Sequence, residues 1–447
     1  MRKFCLILLA IGMTMAFTMP VSAADVKFSG SYVAQGYYEN NRALSDPEDG
    51  DFHNVWQRLR IGTVFQVAEG LKLTTRFDAM EKIWGATRSS SATGADTGSV
   101  SAENENIKFD NAFVTFAIPI GTIEAGYMNY GAWGTVFGNS TETTNAPRVR
   151  YTYTNGPFIV QLAWDKTEGK KDYNTDPTLT ATDDDSEKYN VYFTYKWKSG
   201  AAGLQLQYSR DSSNSDHQTT YTANNGYRQK YFAFYPYVKA TFGPVYLEAE
   251  LGFAFGDYKE YISENNRKDQ DMEAWRGYIM ANVNLAPAYF GALAFYASGD
   301  DQSSDDYEGG LKAGPDFNPC LILMNYDLGR WNGVLGGANG VSATYNMDNI
   351  LGAQLFAGVK PFPKLDIKAS VTYAKLDENP AGKYLEDKDL GYEADITVTY
   401  KIYDNLSYMV GFGYLWSGDA FKGDKHNSNQ VKVEDDYLLT HKLTLTF

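Results

Sequence analysis

Residues 55–79 read VWQRLRIGTVFQVAEGLKLTTRFDA. Val55, Leu59, Ile61, Phe65 and Val67 share one parity, and Trp56, Arg58, Arg60 and Gln66 share the other. Apolar side chains that recur at every second residue mark a strand, not a helix. After Ala68-Glu69-Gly70 the alternation resumes, with Leu71, Leu73, Thr75, Phe77 and Ala79 set against Lys72, Thr74, Arg76 and Asp78. Pairing Val67 with Leu71 closes a hairpin whose apolar residues all lie on one face. That register puts Arg60 opposite Asp78 and Arg76 opposite Gly62. A single hairpin of this kind also suits a soluble sandwich.

Repetition separates the two architectures. Compact turns recur near Glu69, Ile120, Gly156, Gly200, Pro244, Pro287, Phe362 and Asp404, and the chain stops at Phe447. Between them run long polar stretches: Trp84 to Asn106, Thr167 to Glu187, Ser212 to Arg228, Asp257 to Glu273 and Ser417 to Glu434. Short turns alternate strictly with long loops, as in outer-membrane barrels, where the turns are periplasmic and the loops external. A sandwich has no reason to sort its connections by length. The expected fold is therefore an all-β, antiparallel, up-and-down transmembrane barrel. The count favours 18 strands, with 16 and 20 as the neighbouring alternatives. The ambiguous region is Gly299 to Asn349, where Gly309-Gly310, Pro315 and Gly336-Gly337 break the alternation and Cys320 to Tyr326 reads as a plug segment or a short strand.

The ends and the composition agree with that location. Arg2 and Lys3 precede an apolar run from Phe4 to Phe17, and Val21-Ser22-Ala23 supplies a small-residue cleavage site. This pattern is a secretory signal peptide, so the expected organisation is residues 1–23 as signal and 24–447 as one barrel domain. Removing the signal leaves 38 basic against 55 acidic residues, a formal charge of −17, which argues against a nucleic-acid partner. Only Cys320 then remains as a cysteine, so no internal disulfide can form. Mean hydropathy is low, −0.41, while the chain holds 34 Tyr, 25 Phe and 8 Trp. Barrels combine these features because one residue in two faces lipid and aromatic girdles mark both interfaces.

The closing segment, YLLTHKLTLTF at 437–447, keeps Tyr437, Leu439, Leu443, Leu445 and the terminal Phe447 on one parity. It resembles the last strand of outer-membrane barrels that the barrel-assembly machinery recognises. Residues 111–131, NAFVTFAIPIGTIEAGYMNYG, lead through a polar aromatic segment to RVRYTYTNGPFIVQLAW at 148–164. That order is similar to trimeric general porins, and the whole most resembles the homotrimeric porins of sulfate-reducing bacteria. The resemblance implies an outer-membrane homotrimer in a Gram-negative bacterium, in contact with lipid and lipopolysaccharide. It also implies a third external loop folded into the lumen and passive diffusion of small hydrophilic solutes. The loop at 128–147 departs from the general-porin pattern in carrying a single acid, Glu142, beside Tyr130, Trp133 and Phe137.

Inward parity assigns Arg58, Arg60, Lys72, Arg76, Asp78, Arg148 and Arg150 to the pore wall, and Asp110 is expected beside them, a basic ladder that would make the constriction weakly anion-preferring. Acids gather instead in external stretches: Asp46 to Asp51, Asp183 to Asp185, Asp300-Asp301 with Asp305-Asp306, and Glu386-Asp387. They are solvated loops first and Ca²⁺ or Mg²⁺ sites second, since none has ordered ligand spacing. No cofactor is expected. His441 shares outward parity with Leu439 and Leu443, which suggests a subunit interface with Gly30, Ala34, Gly36, Gln57 and Thr63. A substrate-selective channel has the same pattern as a general porin. A barrel hydrolase or an adhesin is a remoter class: none of His53, His217, His426 and His441 sits in a serine motif, and no passenger domain is evident.

Overall fold

The computed structural model describes residues 25–42, 44, 52–85, 107–141, 144–168, 185–213, 226–261, 268–327, 347–381, 384–426 and 432–447. The expected signal peptide, Glu142 and several loop tips lie outside these residues.

Eighteen strands follow in order: β1 (Asp25–Glu39), β2 (Phe52–Ala68), β3 (Leu71–Ile83), β4 (Lys108–Ile118), β5 (Gly121–Asn129), β6 (Asn145–Asn155), β7 (Phe158–Glu168), β8 (Ser186–Trp197) and β9 (Gly200–Asp211). Then come β10 (Tyr227–Phe242), β11 (Val245–Tyr261), β12 (Gln270–Leu285), β13 (Ala288–Ala297), β14 (Ile350–Phe362), β15 (Leu365–Lys375), β16 (Asp389–Tyr403), β17 (Leu406–Ser417) and β18 (Asp436–Thr446). Each strand pairs antiparallel with its sequence neighbours, and β18 pairs with β1, so the sheet closes into a barrel. All eight turns at one end are two residues long, from Glu69-Gly70 to Asp404-Asn405. The opposite end carries every long connection, numbered here L1 to L9 as external loops. L3 spans residues 130–144 and L7 spans 298–349. The ambiguous region thus resolves as L7, with no strand among its described residues.

The hairpin that opened the sequence reading has the expected register from Gln66 opposite Lys72 to Arg60 opposite Asp78. At the turn Ala68, not Val67, pairs with Leu71, and Val67 is the extra residue of a bulge. A bulge adds local twist without moving the rest of the ladder. Another, between Arg76 and Phe77, leaves Asp110 as the unmatched residue of β4 and turns its side chain to the lumen, where it is buried.

Side chains of alternate parity face lipid, and the large exposed residues form two girdles. Phe158, Tyr195, Phe242, Phe362 and Tyr403 ring the short-turn end, and Trp84, Trp164, Tyr189, Trp275 and Trp416 ring the loop end. Leu355 and Val371 occupy the apolar band between them. This is the outer surface of an outer-membrane protein.

Closure depends on the seam between β1 and β18. The Gly30 amide donates to the Phe447 carbonyl at 2.8 Å, and the Phe447 amide donates back to Gly30 at 3.0 Å. The Phe447 ring lies where a side chain at Gly30 would stand, 2.7 Å from the position of a Cβ. His441 covers Gly36 in the same way, its Nε2 lying 2.5 Å from that glycine's missing Cβ. The outward polar groups expected to bond across a subunit contact are in part satisfied within the chain. Gln57 Oε1 accepts from Trp84 Nε1 at 2.8 Å and Tyr32 at 3.3 Å, and the Thr63 and Thr75 hydroxyls meet at 2.5 Å. Gly36→Ala must displace His441 or Val55, whose Cγ2 is 2.9 Å from the new methyl. The expected loss is about 1–3 kcal/mol, read as a lower temperature for the gel-mobility shift from folded to unfolded barrel. An unchanged transition would show that His441 is not seated there.

Candidate functional site: a lumen narrowed by two loops

L3 leaves β5 as a self-bonded loop. Asn129 Nδ2 donates to the Ser140 carbonyl at 2.7 Å, the Ala132 amide donates to Asn129 Oδ1 at 2.9 Å, and Gly134 takes a positive φ of 73°. The loop then crosses to β10, β11 and β12. There the Thr135 amide and hydroxyl both donate to Glu250 Oε2, at 2.7 and 3.0 Å. The other oxygen of Glu250 accepts from Arg276 at 2.7 Å. Gly138 has to be glycine in this packing, because a Cβ would stand 2.0 Å from Glu250 Oε1. Trp133 donates its indole N–H to the Tyr235 carbonyl at 2.9 Å and packs against Tyr192 and Tyr237.

L7 enters from the opposite side. Ile322, Leu323 and Met324 are fully buried, so the segment from Cys320 is a plug and not a strand. Its anchor is Glu393 on β16: Oε1 accepts from the amides of Leu321 (2.9 Å) and Ile322 (2.6 Å), and Oε2 from that of Leu323 (2.6 Å). Gln354 on β14 donates to the Pro319 carbonyl at 2.7 Å. Within L7, burial pushes Lys312 below the usual lysine range and the Asp348 carboxyl above its own, while their mutual attraction opposes both shifts.

The two loops join. Asp316 of L7 accepts from Asn139 Nδ2 and Thr141 Oγ1 of L3, each at 2.9 Å, and the Gly314 amide donates to the Phe137 carbonyl at 2.7 Å. Phe137 stacks on Tyr278 at 5.3 Å and meets Phe317 edge-on at 5.1 Å. A bridge of backbone, held at both walls, therefore crosses the lumen.

The wall residues expected from sequence fall into distinct groups. Arg58, Arg60, Arg76, Asp78 and Asp110 come together on β2 to β4. Arg60 makes a two-pronged contact with Asp78, both bonds 2.6 Å, and Arg76 Nε lies 3.2 Å from Asp110 and reaches the Thr141 carbonyl of L3. Arg58 is 3.9 Å from both Asp78 and Glu81. On β6, Arg150 pairs with Glu124 at 2.5 Å. Arg148, only 4% exposed, pairs with Asp165 at 2.7 Å and donates to the Asn129 carbonyl at the root of L3. Lys72 stands exposed by the short-turn end. The expected basic ladder is thus a set of ion pairs, five of the six cations having a carboxylate within 4.0 Å. Phe137 is fully buried and holds the loop instead of facing solute, while Tyr130 lies under the Lys188 ammonium at 5.0 Å. Glu250, Arg276, Asp316 and Glu393 were missed. Glu250 and Glu393 were detectable as acids at inward parity among apolar and aromatic neighbours.

No family model matches the chain, and no curated protein matches it. Among solved structures it is similar to OccK9 (OpdG) of Pseudomonas aeruginosa, with 14% identity over 95% of this chain and 99% of that one, at a TM-score of 0.53. A double variant of OccD1 (OprD) matches with 11% identity, 96% and 97% coverage and a TM-score of 0.52. OpdQ of Pseudomonas aeruginosa matches with 10% identity, 95% and 98% coverage and a TM-score of 0.50. At such identities the likeness is one of fold. The chain is an 18-stranded barrel of the Gram-negative outer membrane, of porin-like architecture.

Glu250→Ala removes the L3 anchor and leaves Arg276 without its carboxylate. Breaking such a buried pair costs about 3–5 kcal/mol, so L3 should become cleavable by added protease and open-channel conductance should rise. A protected loop with unchanged conductance would contradict the anchoring.

Proposed function

We propose that the protein is a non-catalytic outer-membrane channel for small hydrophilic solutes, selective by virtue of its constriction. The observation that carries this reading is the L3–L7 bridge, closed by Asp316 and the Phe137–Phe317 contact. A general diffusion pore, the reading the sequence resemblance favours, needs only a loop that narrows the lumen. Two interlocked loops fix the shape of the aperture as well as its width, which favours the selective channel. Liposomes containing the purified protein should leak solutes at rates that depend on solute shape and charge at equal size. Rates that follow size alone would restore the general pore, and absence of leakage would remove the channel.

Because the ladder arginines carry carboxylates, the wall supplies little net charge, and ion preference should be weak. Asp110→Asn removes a negative charge beside Arg76 and Arg60 and should shift the reversal potential in a salt gradient toward anions, since fields in a confined pore are set by local charge. No shift would place the selective step away from this wall.

We further propose a homotrimer, with β1, β2 and β18 at the contact. In support, His441 lies over Gly36 on the outward side of the seam, where a lone barrel would leave its polar ring against lipid and a second barrel would relieve that cost. His441→Leu should lower the temperature at which the oligomer dissociates in mild detergent. A single barrel, or an oligomer of unchanged or greater resistance, would place His441 against lipid.

A further inference from the structure

Four buried carboxylates of the lumen have a guanidinium beside them: Asp78 has Arg60, Asp110 has Arg76, Asp165 has Arg148 and Glu250 has Arg276. Glu393 and Asp395 differ. They stand two residues apart on β16, on one face, Glu393 fully buried and Asp395 8% exposed. Neither forms a salt bridge with a described lysine or arginine. Adjacent carboxylates removed from water need either a cation beside them or a proton shared between them. Glu393 accepts three amide donors of the plug, so the pair sits at the point where L7 meets the wall.

Asp395 Oδ2 accepts a long bond from Ser370, 3.4 Å, whereas Oδ1 is buried with no hydrogen-bond partner. Across from it is Cys320 of the plug, 3% exposed and without a disulfide. One donor atom each from Cys320, Glu393 and Asp395 lie within 4.8 Å of one another. The cysteine is held by its neighbours, its own carbonyl accepting from Asn325 at 2.8 Å and that of Pro319 from Gln354. Gly413 on β17 keeps the remaining side clear, since a Cβ there would come within 2.8 Å of Asp395 Oδ1.

We propose that Cys320, Glu393 and Asp395 bind a thiophilic divalent cation of the Zn²⁺ class, which ties the L7 plug to β16. Tetrahedral zinc binds sulfur at about 2.3 Å and oxygen at about 2.0–2.2 Å, which puts ligand atoms less than about 4 Å apart. The donor atoms stand within 4.8 Å of one another, so a bound ion would draw them closer. A thiolate among the donors selects against Mg²⁺ and Ca²⁺. Binding releases the thiol proton to solvent, and the open fourth position takes a water.

The test uses the full-length protein, purified in detergent, stripped with chelator and titrated with Co²⁺. One ion per chain should bind with a sulfur-to-cobalt charge-transfer band, and Zn²⁺ should displace it. Cys320→Ser should abolish the band, and Asp395→Asn should weaken binding at least tenfold. Absence of the band in the unsubstituted chain would overturn the site and leave a shared proton between the carboxyls as the compensating charge. So would Asp395→Asn binding Co²⁺ as tightly as the parent, a variant that removes a buried charge and keeps the test independent of whether Cys320→Ser folds.

Discussion

A backbone amide in hydrocarbon has no water to bond, and each unpaired group there costs several kcal/mol. A single sheet can meet that demand only by closing on itself, so the pairing of β1 with β18 is the condition on which every other strand depends. The chemistry of this seam is compact. Phe447 supplies both backbone bonds to Gly30 and a ring that fills the space the glycine leaves. Thr440 adds a hydroxyl bond of 2.9 Å to the Gly36 carbonyl. The residues that resemble an assembly signal in sequence are, in the folded barrel, the residues that close it.

Closure creates a second problem inside. The lumen wall takes every other residue of eighteen strands, and polar groups there cannot all reach bulk water once loops fold inward. Cross-strand ion pairs answer this locally: Arg60 and Asp78 are register partners on β2 and β3, as are Arg150 and Glu124 on β5 and β6. Buried pairs of this sort add little net stability over apolar packing, but losing one member is destabilising. Their role in this chain is therefore positional, and Arg148 shows it, since the guanidinium that neutralises Asp165 also holds the carbonyl at the root of L3.

Period-two alternation made the fold readable in the sequence, and the sorting of connections by length gave the sidedness and favoured 18 strands without excluding 16 or 20. The hairpin register was readable because the hydrophobic face admits no one-residue slip. Bulges were not. Nothing in the run Phe65 to Leu71 distinguishes Val67 as the extra residue, and Asp110 owes its inward aim to a mismatch between β3 and β4 that parity counting cannot detect. The charge balance of the wall was misjudged for a related reason. The arginines cluster in two short stretches, while their partners Asp110, Glu124 and Asp165 are spread over other strands and come into place only through the ladder.

The inward loops share one device that explains why they were hardest to read. Without a ladder of their own, their amides need acceptors, and in each case a carboxylate supplies them: Glu250 for Thr135, Asp316 for Thr141 and Glu393 for residues 321–323. An ionised carboxylate accepts several charge-assisted bonds and offers no donor in competition. One well-placed acid can therefore hold a loop of otherwise unremarkable sequence. The barrel fixes where such acids stand, and the loops fix the aperture by which acids they reach. A strand pattern determines the first and leaves the second to a handful of side chains far apart in sequence, 115 residues for Thr135 and Glu250 and 175 for Thr141 and Asp316.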